Sequence, residues 1–208
     1  QVDAPAGTAK LIAFTNGSTA TVNAKDILAT FWNSATVSAT ATNDLGITAF
    51  GNLTATLSAE EEAIAVAWGT ANNVTVTTSA SSTPTKKASV WSLGTLTANV
   101  TVVDGAGIVA FDDLTLTTAT ATDGNIYAWA LGSISGTTDA EGYSTLVGWD
   151  DVTVTPDASD EFGPVWYVPV IDDPSQCFNL IFRNANKDKL IGADLVIDIS
   201  GQEANPAV

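Results

Sequence analysis

Apolar and polar residues alternate along most of this chain. Leu53-Thr54-Ala55-Thr56-Leu57, Val74-Thr75-Val76-Thr77, Val100-Thr101-Val102, Leu114-Thr115-Leu116-Thr117 and Val152-Thr153-Val154-Thr155 are all period-two runs. Aliphatic residues on one side and threonine on the other suit a half-buried antiparallel strand. Turn signals separate the runs at Asn43-Asp44, Thr70 to Asn73, Asp104-Gly105 and Asp123-Gly124. Short strands with regular turns predict an all-β fold, a jelly-roll-like antiparallel β-sandwich.

Two segments depart from alternation. Ser58 with Glu61 three residues on has the form of a capping box, so Ser58 to Trp68 reads as one or two helical turns, or as a strand. Asn23 can cap a short helix to Trp32, with Ile27, Leu28 and Phe31 at helical spacing. Residues 1–18 read as an extended N-terminal arm: Pro5 and Gly7 precede Lys10-Leu11-Ile12-Ala13-Phe14, a compact apolar strand closed by Asn16-Gly17. Such a strand can pair within its own domain or add itself to the sheet edge of another subunit. Thr78 to Lys87 is small and polar and reads as a surface loop, so residues 19–208 form a single domain.

Charge changes the picture. The chain of 208 residues carries 23 Asp plus Glu against 7 Lys plus Arg, a formal net charge of −16, yet is 45% hydrophobic. It is too rich in aliphatic and aromatic residues for an acidic disordered tail. The balance argues against nucleic acid, and no apolar run is long enough to span a bilayer. The absence of Met and the start at Gln1 imply a removed leader, hence an extracellular or cell-surface protein. The single Cys177, beside Phe178, reads as a buried inert thiol.

Without histidine, the usual Ser–His and Cys–His nucleophilic arrangements and zinc sites are gone, and no phosphate-binding loop is present, so no enzyme is expected. The acids recur as pairs: Asp112-Asp113, Asp150-Asp151, Asp160-Glu161 and Asp172-Asp173, with Asp157 between the second and third. Paired carboxylates in loops repel unless a cation lies between them, and oxygen ligands suit Ca²⁺; the bland reading is a solvated, soluble surface. Asn16, Asn52, Asn73 and Asn99 head N-glycosylation acceptors, so glycans are possible partners.

Residues 123–199 contain Asp123-Gly124-Asn125-Ile126-Tyr127-Ala128-Trp129, Gly148-Trp149-Asp150, Phe162-Gly163-Pro164-Val165-Trp166, Phe178 to Asn184 and Asn186-Lys187-Asp188. In this order they resemble the β-sandwich of the pullulanase-associated family 41 carbohydrate-binding modules. That resemblance implies α-glucan binding by Trp129, Trp149, Lys187 and Asp188. The family's histidine beside the first tryptophan and a tryptophan of its opening strand are missing, and Trp129 in a strand can equally face a core. The whole chain, acidic, rich in Thr, Ala and Val and with an apolar arm, is similar in style to subunits of archaeal cannulae. This implies an extracellular tube assembled from copies of one chain by Ca²⁺ and strand exchange.

The sequence therefore leads to a structural expectation: the subunit of an extracellular filament or tube, with Lys10, Leu11, Ile12, Ala13 and Phe14 as donor strand and Ca²⁺ bridging the acid pairs. The alternative is a secreted α-glucan-binding module. A cell-surface adhesin domain is a third reading with no discriminating residue.

Overall fold

The computed structural model describes residues 1–69, 71–76 and 85–156, with strand pieces at 161–162, 165–167, 179–181 and 197–198. Fourteen strands carry the fold: β1 (Val2–Ala13), β2 (Ser18–Phe31), β3 (Ala35–Ala41), β4 (Asp44–Ala49), β5 (Leu53–Ala59), β6 (Glu62–Ala67), β7 (Ala71–Val76), β8 (Thr85–Ser92), β9 (Thr95–Ala110), β10 (Leu114–Ala121), β11 (Asn125–Ala130), β12 (Ile134–Ala140), β13 (Tyr143–Gly148) and β14 (Val152–Pro156). Every pairing among them is parallel, and most skip one strand: β2 with β4, β3 with β5, β4 with β6, β5 with β7.

The protein is a parallel β-solenoid of stacked coils, which corrects the expected antiparallel jelly-roll sandwich. Parallel neighbours need a crossover connection. Here each crossover is the strand on the opposite side of the same coil. One side stacks β3, β5, β7, β10, β12 and β14; the other stacks β4, β6, β8, β11 and β13. The long strands β1, β2 and β9 bend at the corner and serve both sides. Ile27, Leu45 and Ala63 occupy one register position in successive coils, and Ala88, Ala106 and Ile126 continue it. The coil from Ala63 to Ala88 is longer than those before it. Its surplus falls largely on residues 77–84, so most of the expected surface loop lies outside the described residues.

Alternation decides what points inward. The file Ala29, Ile47, Ala65, Val90, Ile108, Ala128 and Leu146 is buried throughout, with small and large residues intermixed from coil to coil. Across the coil stand Leu53, Leu96, Leu114 and Ile134, all buried. Alanine supplies much of this core, as befits two sheets packed about 10 Å apart. Two interior hydroxyls, Ser92 and Thr138, are fully buried, and Ser144 Oγ has no hydrogen-bond partner among the described residues. A bulge at Thr117-Thr118 bends β10, and Gly136 opposite it adopts φ 129°, where a Cβ would run into the Leu116 carbonyl.

The expected short helices are corrected as well. The described residues contain no helix. Asn23 to Trp32 lies in β2 and the turn after it, where Ile27, Ala29 and Phe31 face the core and Leu28 faces out, 54% exposed. Ser58 to Trp68 is the end of β5 followed by β6, whose Ala63, Ala65 and Ala67 point inward. The apparent helical spacing arises because small residues fill the core here while larger ones, Ile64 and Trp68, lie outside. Residues 2–13, read as an arm whose strand could pair in its own domain or with another subunit, pair with β2 from Val2↔Val22 to Ala13↔Phe31, continuing the same stacking. Residues 123–156 likewise continue the coils, so the sandwich implied by the carbohydrate-module resemblance is absent from them.

Candidate binding surfaces of the solenoid

The corner after the β4 and β6 side carries an aromatic ladder. Phe14, Trp32, Phe50 and Trp68 stack coil upon coil, with ring centroids 6.1, 4.8 and 6.0 Å apart and ring planes tilted by 7°, 11° and 19°. Backbone hydrogen bonds hold the rungs: Trp32 N–H donates to Ala13 O at 2.9 Å and Phe50 N–H to Phe31 O at 2.8 Å. Beyond the longer coil Leu93 and Leu131 hold corner positions, and Phe111 between them meets Trp91 of β8 and Trp129 of β11 edge-to-face, each at 5.4 Å. Both geometries are favourable for aromatic pairs. In the first four coils the ring faces are covered by one another. The outer face of Phe14 has no ring against it among the described residues, and Phe14 is 69% exposed.

Lys10, Leu11, Ile12 and Ala13, expected to be donated to another subunit, pair in register with Leu28, Ala29, Thr30 and Phe31. The other edge of β1 has no strand partner among the described residues, and Ile12 on it is 69% exposed. A bulge between Ala4 and Thr8, with Pro5 inside it, interrupts the first part of that edge, leaving Thr8 to Ala13 as continuous template.

The expected calcium ligands are placed apart. Asp112-Asp113 and Asp150-Asp151 occupy the same corner, but a whole coil, with Gly132 and Ser133 at that position, separates them. Two coil steps set the backbones of the two pairs about 9.6 Å apart. The first pair has hydrogen-bond partners close by. Asp113 Oδ1 accepts from Ser133 N–H at 2.8 Å, and Asp112 Oδ2 accepts from Thr95 Oγ1 at 3.1 Å. Asp150 and Asp151 are exposed. Glu161 pairs by backbone with Tyr143, while Asp157, Asp160, Asp172 and Asp173 lie outside the described residues. Among the described residues no three His, Cys, Asp or Glu side chains converge as a metal-holding group. At the opposite corner Asp26, Asp44 and Glu62 follow one another in a file that Lys87 continues.

Of the expected sugar contacts, Trp129 is half-buried edge-on to Phe111 and Trp149 is 39% exposed at the same corner; Lys187, Asp188 and Cys177 lie outside the described residues. Asn16 and Asn52 are exposed in corner turns, Asn99 is half-buried in β9, and Asn73 belongs to β7. On the β6–β11 side Gly105 and Gly107 leave an open hollow of about 270 Å³ beside Lys87, Asp104 and Tyr127.

Sequence reasoning passed over the side built by β3, β5, β10 and β12. Two straight files of register positions run along it. The first runs Thr19, Thr36, Thr54, then Asn73 by register, then Thr97, Thr115, Ser135 and Thr153. The second runs Thr21, Ser38, Thr56, then Thr75 by register, then Asn99, with Thr118 next at the bulge. Neither file contains a charged residue. Part of the signal was present: Phe14, Trp32, Phe50 and Trp68 recur at one fixed interval, and superposing the chain at that interval aligns Thr36 with Thr54 and Ser38 with Thr56.

Comparison with family models, with curated proteins and with solved structures gave no match. Among the described residues no helix is long and apolar enough to cross a membrane.

Proposed function

We propose that the chain is a structural, self-associating solenoid whose copies join end to end into an extracellular filament. One observation carries this reading: the first coil presents a strand edge, Thr8 to Ala13, without a strand partner among the described residues, and the bare ring face of Phe14 ends the aromatic stack beside it. A further coil laid on that edge extends every regular feature of the fold, namely the parallel ladder, the core files and the ring stack. Covering Ile12 and Phe14 contributes about 1.5–3 kcal/mol each, and one more ring contact about 0.5–1.5 kcal/mol. Joining is by coil stacking, since Lys10 to Ala13 are already committed within their own chain. At −16 per copy, association is opposed by repulsion that divalent cations such as Ca²⁺ relieve more effectively than monovalent salt.

Glucan binding, the other expectation, requires bare ring faces. Of the two tryptophans expected to contact sugar, Trp129 is half-buried edge-on to Phe111 and Trp149 is 39% exposed at the corner.

Negative-stain electron microscopy and sedimentation velocity of the full chain, with millimolar Ca²⁺ and with chelator, test the proposal. Rods lengthening with concentration are expected, and Ile12→Lys with Phe14→Asp should leave monomers with an unchanged far-UV spectrum. A wild-type monomer under every condition, or rods formed equally well by the double variant, overturns it. Retardation in amylopectin gels that Trp149→Ala abolishes would favour the glucan reading.

A further inference from the structure

The threonine side differs from the opposite side in order and freedom: the files from Leu28 to Thr145 and from Thr30 to Val147 are uncharged as well, but they mix glycine, aliphatic and aromatic residues. A chain with 23 acids places none in its two central files, although a soluble surface of this kind ordinarily carries charge on about 25–35% of its residues. The files repeat in two directions. Coils are stacked about 4.8 Å apart, and successive outward residues along a strand are about 6.6 Å apart. From Thr19 to Thr153 this grid runs seven coil steps, about 34 Å. β-Branched threonine is stiff at χ1, so methyls and hydroxyls are held in fixed rows. Among the described residues no hydrogen bond ties the hydroxyls of Thr19, Thr21, Thr36, Thr54, Thr56 or Thr115, so they are open to an outside partner.

A grid of weak, identical contacts gives tight binding only when the partner repeats at matching intervals in both directions. A flexible polymer or a globular protein does not; a crystalline solid does. Ionic minerals are recognised by charge, which these files lack. Crystalline polysaccharide offers C–H faces to exposed aromatic rings, and the two threonine files contain no ring. Ice remains: it is neutral, it repeats in two dimensions, and each of its sites donates and accepts hydrogen bonds as a threonine hydroxyl does. The methyl rows between the hydroxyls leave troughs in which water is ordered by apolar walls and anchored by hydroxyls.

We propose that the threonine face is an ice-binding surface. It is independent of end-to-end joining, which uses the coil edge rather than the side.

The test uses the full chain and ice itself. Partition into slowly growing polycrystalline ice is read by intrinsic tryptophan fluorescence, alongside recrystallisation inhibition and ice-crystal shaping. The wild-type chain should be enriched in the ice and shape the crystals. Thr54→Lys with Thr56→Lys puts two hydrated charges mid-face and should lower enrichment about tenfold or more. Leu28→Lys, on the other side of the coil, should leave enrichment unchanged. Exclusion of the wild-type chain from ice overturns the proposal, whatever the variants do. So does a folded Thr54/Thr56 variant that partitions like wild type, an effect of Leu28→Lys as large as theirs, or a face-to-face dimer that the Thr54/Thr56 change dissociates.

Discussion

Removing one whole coil should leave a folded protein, whereas removing half a coil should not. Deleting residues 45–62 joins Asp44 to Ala63, and Ala63, Ala65 and Ala67 then fall on Ile27, Ala29 and Phe31, the register that Leu45, Ile47 and Ala49 now hold. Inward residues stay inward, and Trp68 takes the place of Phe50 over Trp32. Deleting residues 45–53 instead sets Thr54, Thr56 and Ser58 into the buried places of Leu45, Ile47 and Ala49, and brings Glu62 to the place of Leu53. Three buried hydroxyls without partners cost roughly 3–9 kcal/mol together, and a buried carboxylate several more. That matches or exceeds the whole stability of about 5–15 kcal/mol expected for a domain. Urea unfolding followed by circular dichroism decides between the outcomes. The whole-coil deletion should retain a cooperative transition with an m value lower by about one-tenth, in proportion to the surface exposed, and the half-coil deletion should show no native baseline. Equal stability of the two variants, or an unfolded whole-coil deletion beside a folded half-coil one, would refute parallel stacking at this repeat.

Two smaller perturbations probe the same architecture. Gly136→Ala forces a side chain into φ 129° against the Leu116 carbonyl, and should cost about 1–3 kcal/mol in chemical denaturation; a loss within error would contradict the bulge geometry. Trp32→Ala removes a ring stacked on both Phe14 and Phe50, and should lower stability by about 1–3 kcal/mol from the two ring contacts alone. A change no larger than that of an exposed threonine would show the ladder to be incidental.

The strands were legible because Thr-aliphatic alternation reports a half-buried sheet whichever way its neighbours run. Leu114 and Leu116 are inward and Thr115 outward, as their spacing indicates. Strand direction was not legible, because a coil corner and a hairpin use the same turn residues; Asp123-Gly124 leads into the next coil of the solenoid. The repeat could have settled direction, but the longer coils ending at Ala88 and at Ile126 break its beat after Trp68. β6 misled for a physical reason: its core side is alanine and its solvent side Ile64 and Val66, the reverse of the usual hydropathy. The acid pairs were visible as pairs, but that one coil separates Asp113 from Asp151 at the same corner is seen only in the register.

The most direct measurement is a pair of electron–electron distances along the first threonine file. With Cys177→Ser as background, spin labels at Thr19→Cys and Thr115→Cys span five coil steps, and labels at Thr19→Cys and Thr153→Cys span seven. The stacked coils predict backbone separations of about 24 Å and about 34 Å, broadened by the label arms. Two equal distances, or a shorter one for the second pair, would contradict the solenoid.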